Sequence, residues 1–235
     1  MSKKWKHAIV VGASSGIGEA IVYELAKQGV SVGLVARRSE ELQRVAAQAK
    51  KISGEARFPT FVHDVTCYSE VPALLQDITK QLGGLDLIIY NSGIMPAVAK
   101  DEYNFEKDKS IIETNLLGAF AWLNEAAMRF QNAGCGTIVG ISSIAGERGR
   151  RGMPAYMTSK AALSTYLESL RNRLSQHGVK VVTIKPGVID TDMSKNSPNK
   201  LWIFSPEDTA KEIVSAAPYV DSVIIVHSKN PFSVM

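Results

Sequence analysis

The chain has 235 residues, 45% of them hydrophobic and 21% charged, the balance of an ordinary globular protein with a substantial core. Its net charge of +4 is spread thinly, with no dense Lys/Arg run interleaved with aromatics, which excludes nucleic acid as an expected partner. Two cysteines (Cys67, Cys135) and four scattered histidines fall in no metal or redox spacing, so no metal site is expected and a reducing compartment is.

A basic start leads into the apolar run Ala8–Val11, which Gly12 cuts off at once. That is too short for a signal-peptide core, and no later stretch approaches a membrane span. The expectation is a cytoplasmic protein without a membrane partner. From here, short β-branched runs alternate with helical patterns to the end of the chain. The runs are Ala8–Val11, Ser31–Ala36, Arg57–His63, Leu85–Tyr90, Thr137–Ser142, Lys180–Lys185 and Ser222–His227. Between them lie Gly16–Gln28, Ser39–Ile52, Tyr68–Leu82, Lys107–Gln131 and Pro154–His177, with Pro206–Ala217 before the last run. Continuous apolar strands with helical crossovers predict a parallel sheet covered on both faces. The expected fold is α/β, a Rossmann-type doubly wound sheet of about seven strands forming one domain over residues 1–235. The least regular stretch, Asp190–Ser205, ends in the apolar cluster Leu201-Trp202-Ile203-Phe204, which reads equally as a lid or as core.

The first run feeds into Gly12-Ala13-Ser14-Ser15-Gly16-Ile17-Gly18, where a helix begins. Glycines let a backbone approach a pyrophosphate closely, and a helix N-terminus offers unpaired N–H groups and positive potential. The spacing is G-x-x-x-G-x-G, so the mechanics of a dinucleotide loop are present without the G-x-G-x-x-G pattern. The second run ends Val35-Ala36-Arg37-Arg38. An acidic residue there would favour NAD. A small residue followed by two guanidinium groups suits a 2′-phosphate instead, so Arg37 and Arg38 predict NADP(H). Further on, Tyr156 and Lys160 stand four apart in a helical pattern, after Ser143. On a helix they share one face, and a neighbouring ammonium is expected to pull the phenol pKa down from about 10.

In this order, Gly12–Gly18, Asp64-Val65, Asn91-Ser92-Gly93, Asn115, Ser143, Tyr156/Lys160 and Pro186-Gly187 resemble the short-chain dehydrogenase/reductase family, including its 3-oxoacyl carrier-protein reductases. The resemblance implies a catalytic set of Asn115, Ser143, Tyr156 and Lys160. Tyr156 would act as general acid–base at a carbonyl oxygen and Ser143 would polarise that oxygen. Lys160 would lower the Tyr156 pKa and bind the nicotinamide ribose, and Asn115 would hold a water in a proton relay. Cofactor contacts would come from Gly12, Ser14, Ser15, Gly16, Ile17 and Gly18, from Asp64 and Val65 about the adenine, and from Asn91, Ser92 and Gly93. Pro186, Gly187, Val188 and Thr191 would line the nicotinamide end.

Three departures stand out. Val11 replaces a common Thr, Ser92 replaces Ala with a hydroxyl expected to be merely tolerated, and the tail Val226-His227-Ser228-Lys229-Asn230-Pro231 lacks the usual Gly-rich end. The expected activity is an NADPH-dependent carbonyl reductase, acting on a small molecule or an acyl thioester, in a homodimer or homotetramer. Sugar, steroid-like and small ketone substrates stay open, as does a non-catalytic NADP(H)-binding regulator. The pocket walls are expected to be apolar, from Met95, Met153, Met193, Leu201, Trp202 and Phe204. Arg148, Arg150 and Arg151, with Lys195 and Lys200, form a basic mouth for an acidic carrier, or alternatively a solvated loop or subunit contact.

Overall fold

The computed structural model describes residues 5–99, 101–196 and 203–226. Strands β1 (His7–Val11), β2 (Ser31–Ala36), β3 (Thr60–Val62), β4 (Leu87–Tyr90), β5 (Gly136–Ile141), β6 (Val179–Pro186) and β9 (Val223–Val226) form one sheet in the order β3-β2-β1-β4-β5-β6-β9. Every pairing is parallel. The crossovers are α1 (Gly16–Lys27), α2 (Ser39–Ile52), α3 (Val71–Leu82), α4 (Phe105–Ile112), α5 (Gly118–Ala133), α6 (Pro154–Leu174) and α7 (Pro206–Ala216). Winding reverses between β1 and β4, and a cleft opens at the carboxyl ends of the strands there, as doubly wound sheets require.

Strand periodicity divides the core in two. Ala8 and Val10, with Leu87 and Ile89, pack beneath α1, α2 and α7. Ile9 and Val11, with Ile88 and Tyr90, pack beneath α3, α5 and α6. The central strands β1 and β4 therefore bury both faces, at about 1.5–3 kcal/mol per large apolar side chain, which is why these runs read as unbroken apolar sequence.

Three elements differ from the sequence expectation. Of Arg57–His63 only Thr60–Val62 is strand. Pro59 has no N–H to give, although its carbonyl still accepts from Leu34 N at 2.9 Å. The helix expected over Lys107–Gln131 is broken by a π turn at Glu113–Leu117. The stretch expected to be irregular contains β7 (Val188–Ile189) and β8 (Ile203–Phe204), paired in parallel, with a 3₁₀ turn over Asp192–Asn196. Ile203 is exposed and Phe204 half-buried. Leu201, Trp202, Lys200 and the tail from His227 lie outside the described residues.

Candidate active site

The cleft at the switch point measures about 1630 Å³, more than the 300–1,000 Å³ usual for a single small ligand. At one end β1 turns into α1. Gly12 has φ +89°, and a Cβ there would stand 2.7 Å from Ser92 N. At Gly18 a Cβ would meet the Gly12 carbonyl at 2.0 Å, so the helix crosses directly against the loop. Asn91 Nδ2 donates to that same carbonyl at 2.9 Å, and its backbone N–H to the Val11 carbonyl at 2.9 Å, so the turn is braced without a side-chain hydroxyl at residue 11. Ser15 is the N-cap of α1 in extended conformation, yet its side chain makes no cap bond. Its hydroxyl accepts instead from Arg38 Nη2 at 2.7 Å, and Ser14 Oγ accepts from the same nitrogen at 3.0 Å. The first N–H groups of the helix are thus left to a ligand.

The two arginines part company. Arg38 lies over the glycine loop, while Arg37 reaches Asp64 at 3.8 Å. Burial pushes the Asp64 pKa up, but two hydrogen bonds from Thr66 and the Arg37 charge outweigh it and leave the carboxyl below its usual range. Ser14, Ser15, Gly16, Ile17, Val65, Asn91, Ser92, Gly93, Pro186, Gly187, Val188 and Thr191 all line the cleft. Gly18, Asp64 and Asn115 do not. Among the described residues no group of three His, Cys, Asp or Glu is placed to hold a metal, and no helix is long and apolar enough to cross a membrane.

At the other end β5 delivers two serines with different surroundings. The Ser142 hydroxyl turns into α6, donating to the Lys160 carbonyl at 2.8 Å. Ser143 lines the cleft, and its oxygen accepts from Ala145 N at 3.1 Å. On α6, Tyr156 and Lys160 are both buried, with the Lys160 Nζ 5.8 Å from the Tyr156 ring centroid and donating to the Ile141 carbonyl at 2.9 Å. The electrostatics correct the sequence expectation. Burial raises the Tyr156 pKa, and the group opposing it is the Ser143 hydroxyl rather than the ammonium. The same burial pulls Lys160 down to about 8. Desolvation penalises the charged form of each partner, phenolate and ammonium alike.

Asn115 sits in the π turn, completely buried. Its Oδ1 accepts from Ile94 N at 2.7 Å, while Nδ2 donates to Ile94 O and Ser159 Oγ, each at 3.1 Å. The side chain thus ties the loop after β4 to α6. Sequence reasoning missed what holds the turn itself. Tyr90 donates to the Thr114 carbonyl at 2.6 Å and Tyr68 to the Glu113 carbonyl at 3.3 Å. Two phenols thereby satisfy carbonyls in the distorted ladder. The Ser92 hydroxyl, expected only to be tolerated, opposes the effect of burial on the Tyr90 phenol. His63 was missed as well: it lines the cleft beside Val65 and meets Trp122 edge-on at 5.6 Å. No local pattern marks Tyr90 or His63, since both read as ordinary strand-end residues.

The basic mouth is a solvated, loosely paired loop. Arg151 pairs with Asp101 at 3.4 Å, Arg148 donates to the Glu147 carbonyl at 2.8 Å, and Arg150 lines the cleft. Lys195 and Lys200 lie outside the described side chains.

With this geometry in place, comparison with known proteins is direct. The sequence pattern of the family described as "short chain dehydrogenase" matches residues 6–202. An uncharacterized oxidoreductase of Myxococcus xanthus is 37% identical over 192 residues, 81% of this chain and 74% of that one. Among solved structures, NAD+-bound xylitol dehydrogenase superposes with a TM-score of 0.85 at 21% identity, covering 96% of this chain and 99% of its own. ElxO with NADP bound gives 0.85 at 23%, covering 95% and 97%. These likenesses establish the fold, and with the family match they show that the chain belongs to the short-chain dehydrogenase family of oxidoreductases.

Proposed function

We propose that the protein is an NADP(H)-dependent carbonyl reductase, reversibly an alcohol dehydrogenase. The observation that carries this reading is that Ser143, Tyr156 and Lys160 line the same cleft as the glycine loop, at its opposite end. The residues fit a dinucleotide: the cleft has the volume, the N-cap of α1 leaves its N–H groups free, and Gly12 and Gly18 close the loop where any Cβ would clash. A nicotinamide dinucleotide held there would supply the hydride chemistry, to a carbonyl carbon or from an alcohol.

Tyr156 then donates the phenolic proton to the carbonyl oxygen, and burial keeps that proton in place until it is needed. Ser143 donates its one hydroxyl proton to the same oxygen and polarises it; before a substrate enters, that proton goes to the Tyr156 oxygen and offsets part of the effect of burial. Lys160, with its pKa near 8, holds a positive charge beside the phenol at neutral pH and can refill the proton. Asn115 acts as a positioning residue, fixing Ile94 and Ser159 around this cluster. For the cofactor's 2′-phosphate the reading relies on Arg38 over Ser14 and Ser15, with Arg37 held at Asp64 on the rim and Ala36 where a carboxylate would repel the group. Val65 serves the adenine edge, with Asp64 behind it holding Thr66 and Arg37, and Pro186, Gly187, Val188 and Thr191 serve the nicotinamide end.

The substrate in this reading is a small apolar carbonyl compound. A thioester on an acidic carrier draws no support from the cleft itself, since the Arg148 and Arg151 side chains are exposed and do not line it. A homodimer through the outer faces of α5 and α6 is part of the proposal, supported by exposed Leu117 and Met128, and sedimentation tests it. Tyr156→Phe tests the chemistry: NADPH binding should be kept while reduction of the best carbonyl falls by about 10²–10⁴. Surviving activity would refute the assignment.

A further inference from the structure

Met153 has φ +60° and ψ +52°, the left-handed region, and no other non-glycine described residue has positive φ. The conformation is doubly costly there, because L side chains resist it and the next residue is Pro154, which restricts its predecessor too. Gly152, one position earlier, would adopt it freely, and a Cβ there would meet nothing within 4 Å. Helix capping does not explain the choice. N-caps favour extended backbone, and the Met153 side chain makes no cap bond. What the position provides is a side chain in the cleft three residues before Tyr156.

That side chain has company. Of the seven methionines in the chain, Met95, Met153, Met157 and Met193 all line this one cleft. Met157 is fixed, its sulfur accepting from Arg150 N at 3.1 Å. Met95, Met153 and Met193 are each only half-buried and come from three separate loops. Phe204, on β8, adds an aromatic side chain to the lining of the same cleft. Thioethers are unbranched, polarisable and favourable against ring edges, so such a wall suits a flat ring better than a branched aliphatic group.

We infer that Met153 is a specificity-determining residue, held in a strained backbone so that its thioether, with Met95 and Met193, clasps the ring of an aryl carbonyl substrate. The inference rests on the carbonyl reductase reading above and assigns the substrate class. The test measures binding of acetophenone and of butanone, with and without NADP+, for the wild type and for Met153→Leu, Met153→Ala and Met153→Gly. The wild type should prefer acetophenone about tenfold. Met153→Leu should keep that preference within about threefold, while the Ala and Gly variants lose it. Because those two differ only in the Cβ, Met153→Gly should melt about 2 °C above Met153→Ala if the backbone is strained. An unchanged preference in the Ala and Gly variants, no preference in the wild type, or a Gly variant that melts below the Ala variant would overturn the assignment. Ring preference in binding without turnover of any carbonyl would instead overturn the catalytic reading and leave this one standing.

Discussion

Replacing Lys160 by methionine should stabilise the protein at neutral pH and cease to do so in alkali. Lys160 is buried, and its pKa falls from 10.5 to about 8 for that reason alone. A folded pKa below the unfolded one means that folding must strip water from a charge. The penalty is complete below pH 8 and fades as pH rises from about 8 towards 10.5. The drop corresponds to about 3 kcal/mol at pH 7, and about 1 kcal/mol of it survives at pH 9.5. Methionine keeps the volume but leaves the Ile141 carbonyl without its donor, a loss of about 1 kcal/mol. The variant should therefore be about 2 kcal/mol more stable at pH 7 and close to neutral at pH 9.5. Urea unfolding of the cofactor-free protein at the two pH values measures both differences. A stability difference independent of pH would refute the account of Lys160 as a buried, dehydrated cation.

Tyr90→Phe removes the hydroxyl that holds the Thr114 carbonyl in the π turn. Thermal unfolding should show a loss of about 1–3 kcal/mol, as for a buried acceptor stripped of its donor. Carbonyl reduction should fall with it while NADPH affinity stays, because Asn115 follows the turn; an unchanged melting temperature would mean that the phenol is idle. Arg38→Asp should weaken NADPH by about 10–100-fold in a fluorescence titration and leave NADH within about threefold. Equal losses for the two cofactors would remove the argument for a 2′-phosphate.

The fold was legible because a parallel sheet covered on both faces needs unbroken apolar strands, and no polar position interrupts runs such as Ala8–Val11 or Leu87–Tyr90. Much of the site was legible for a related reason: glycines at Gly12 and Gly18 answer to backbone clearance, which spacing alone reveals. The π turn was not, since nothing local in Glu113–Leu117 differs from helical sequence and its support comes from Tyr68 and Tyr90, far away in the chain. Nor was the sign of the Tyr156 shift. Spacing puts an ammonium near a phenol, but burial is set by everything packed around the pair. The divergent roles of Arg37 and Arg38 depend on which side chain a strand end turns towards the loop, which adjacent identical residues cannot disclose.

The strand order has a temporal consequence. β1 lies in the middle of the sheet between β2 and β4, so on the ribosome it is completed only by a partner about 80 residues later. Trp5 waits longer still, for Thr137, 132 positions on. Until β4 and β5 emerge, the apolar edge of β1 stays bare. Such non-local pairing makes for slow folding and a window in which the nascent chain is open to aggregation. The arrangement that places the cleft at the centre of the finished molecule therefore leaves its central strand unsheltered for much of synthesis.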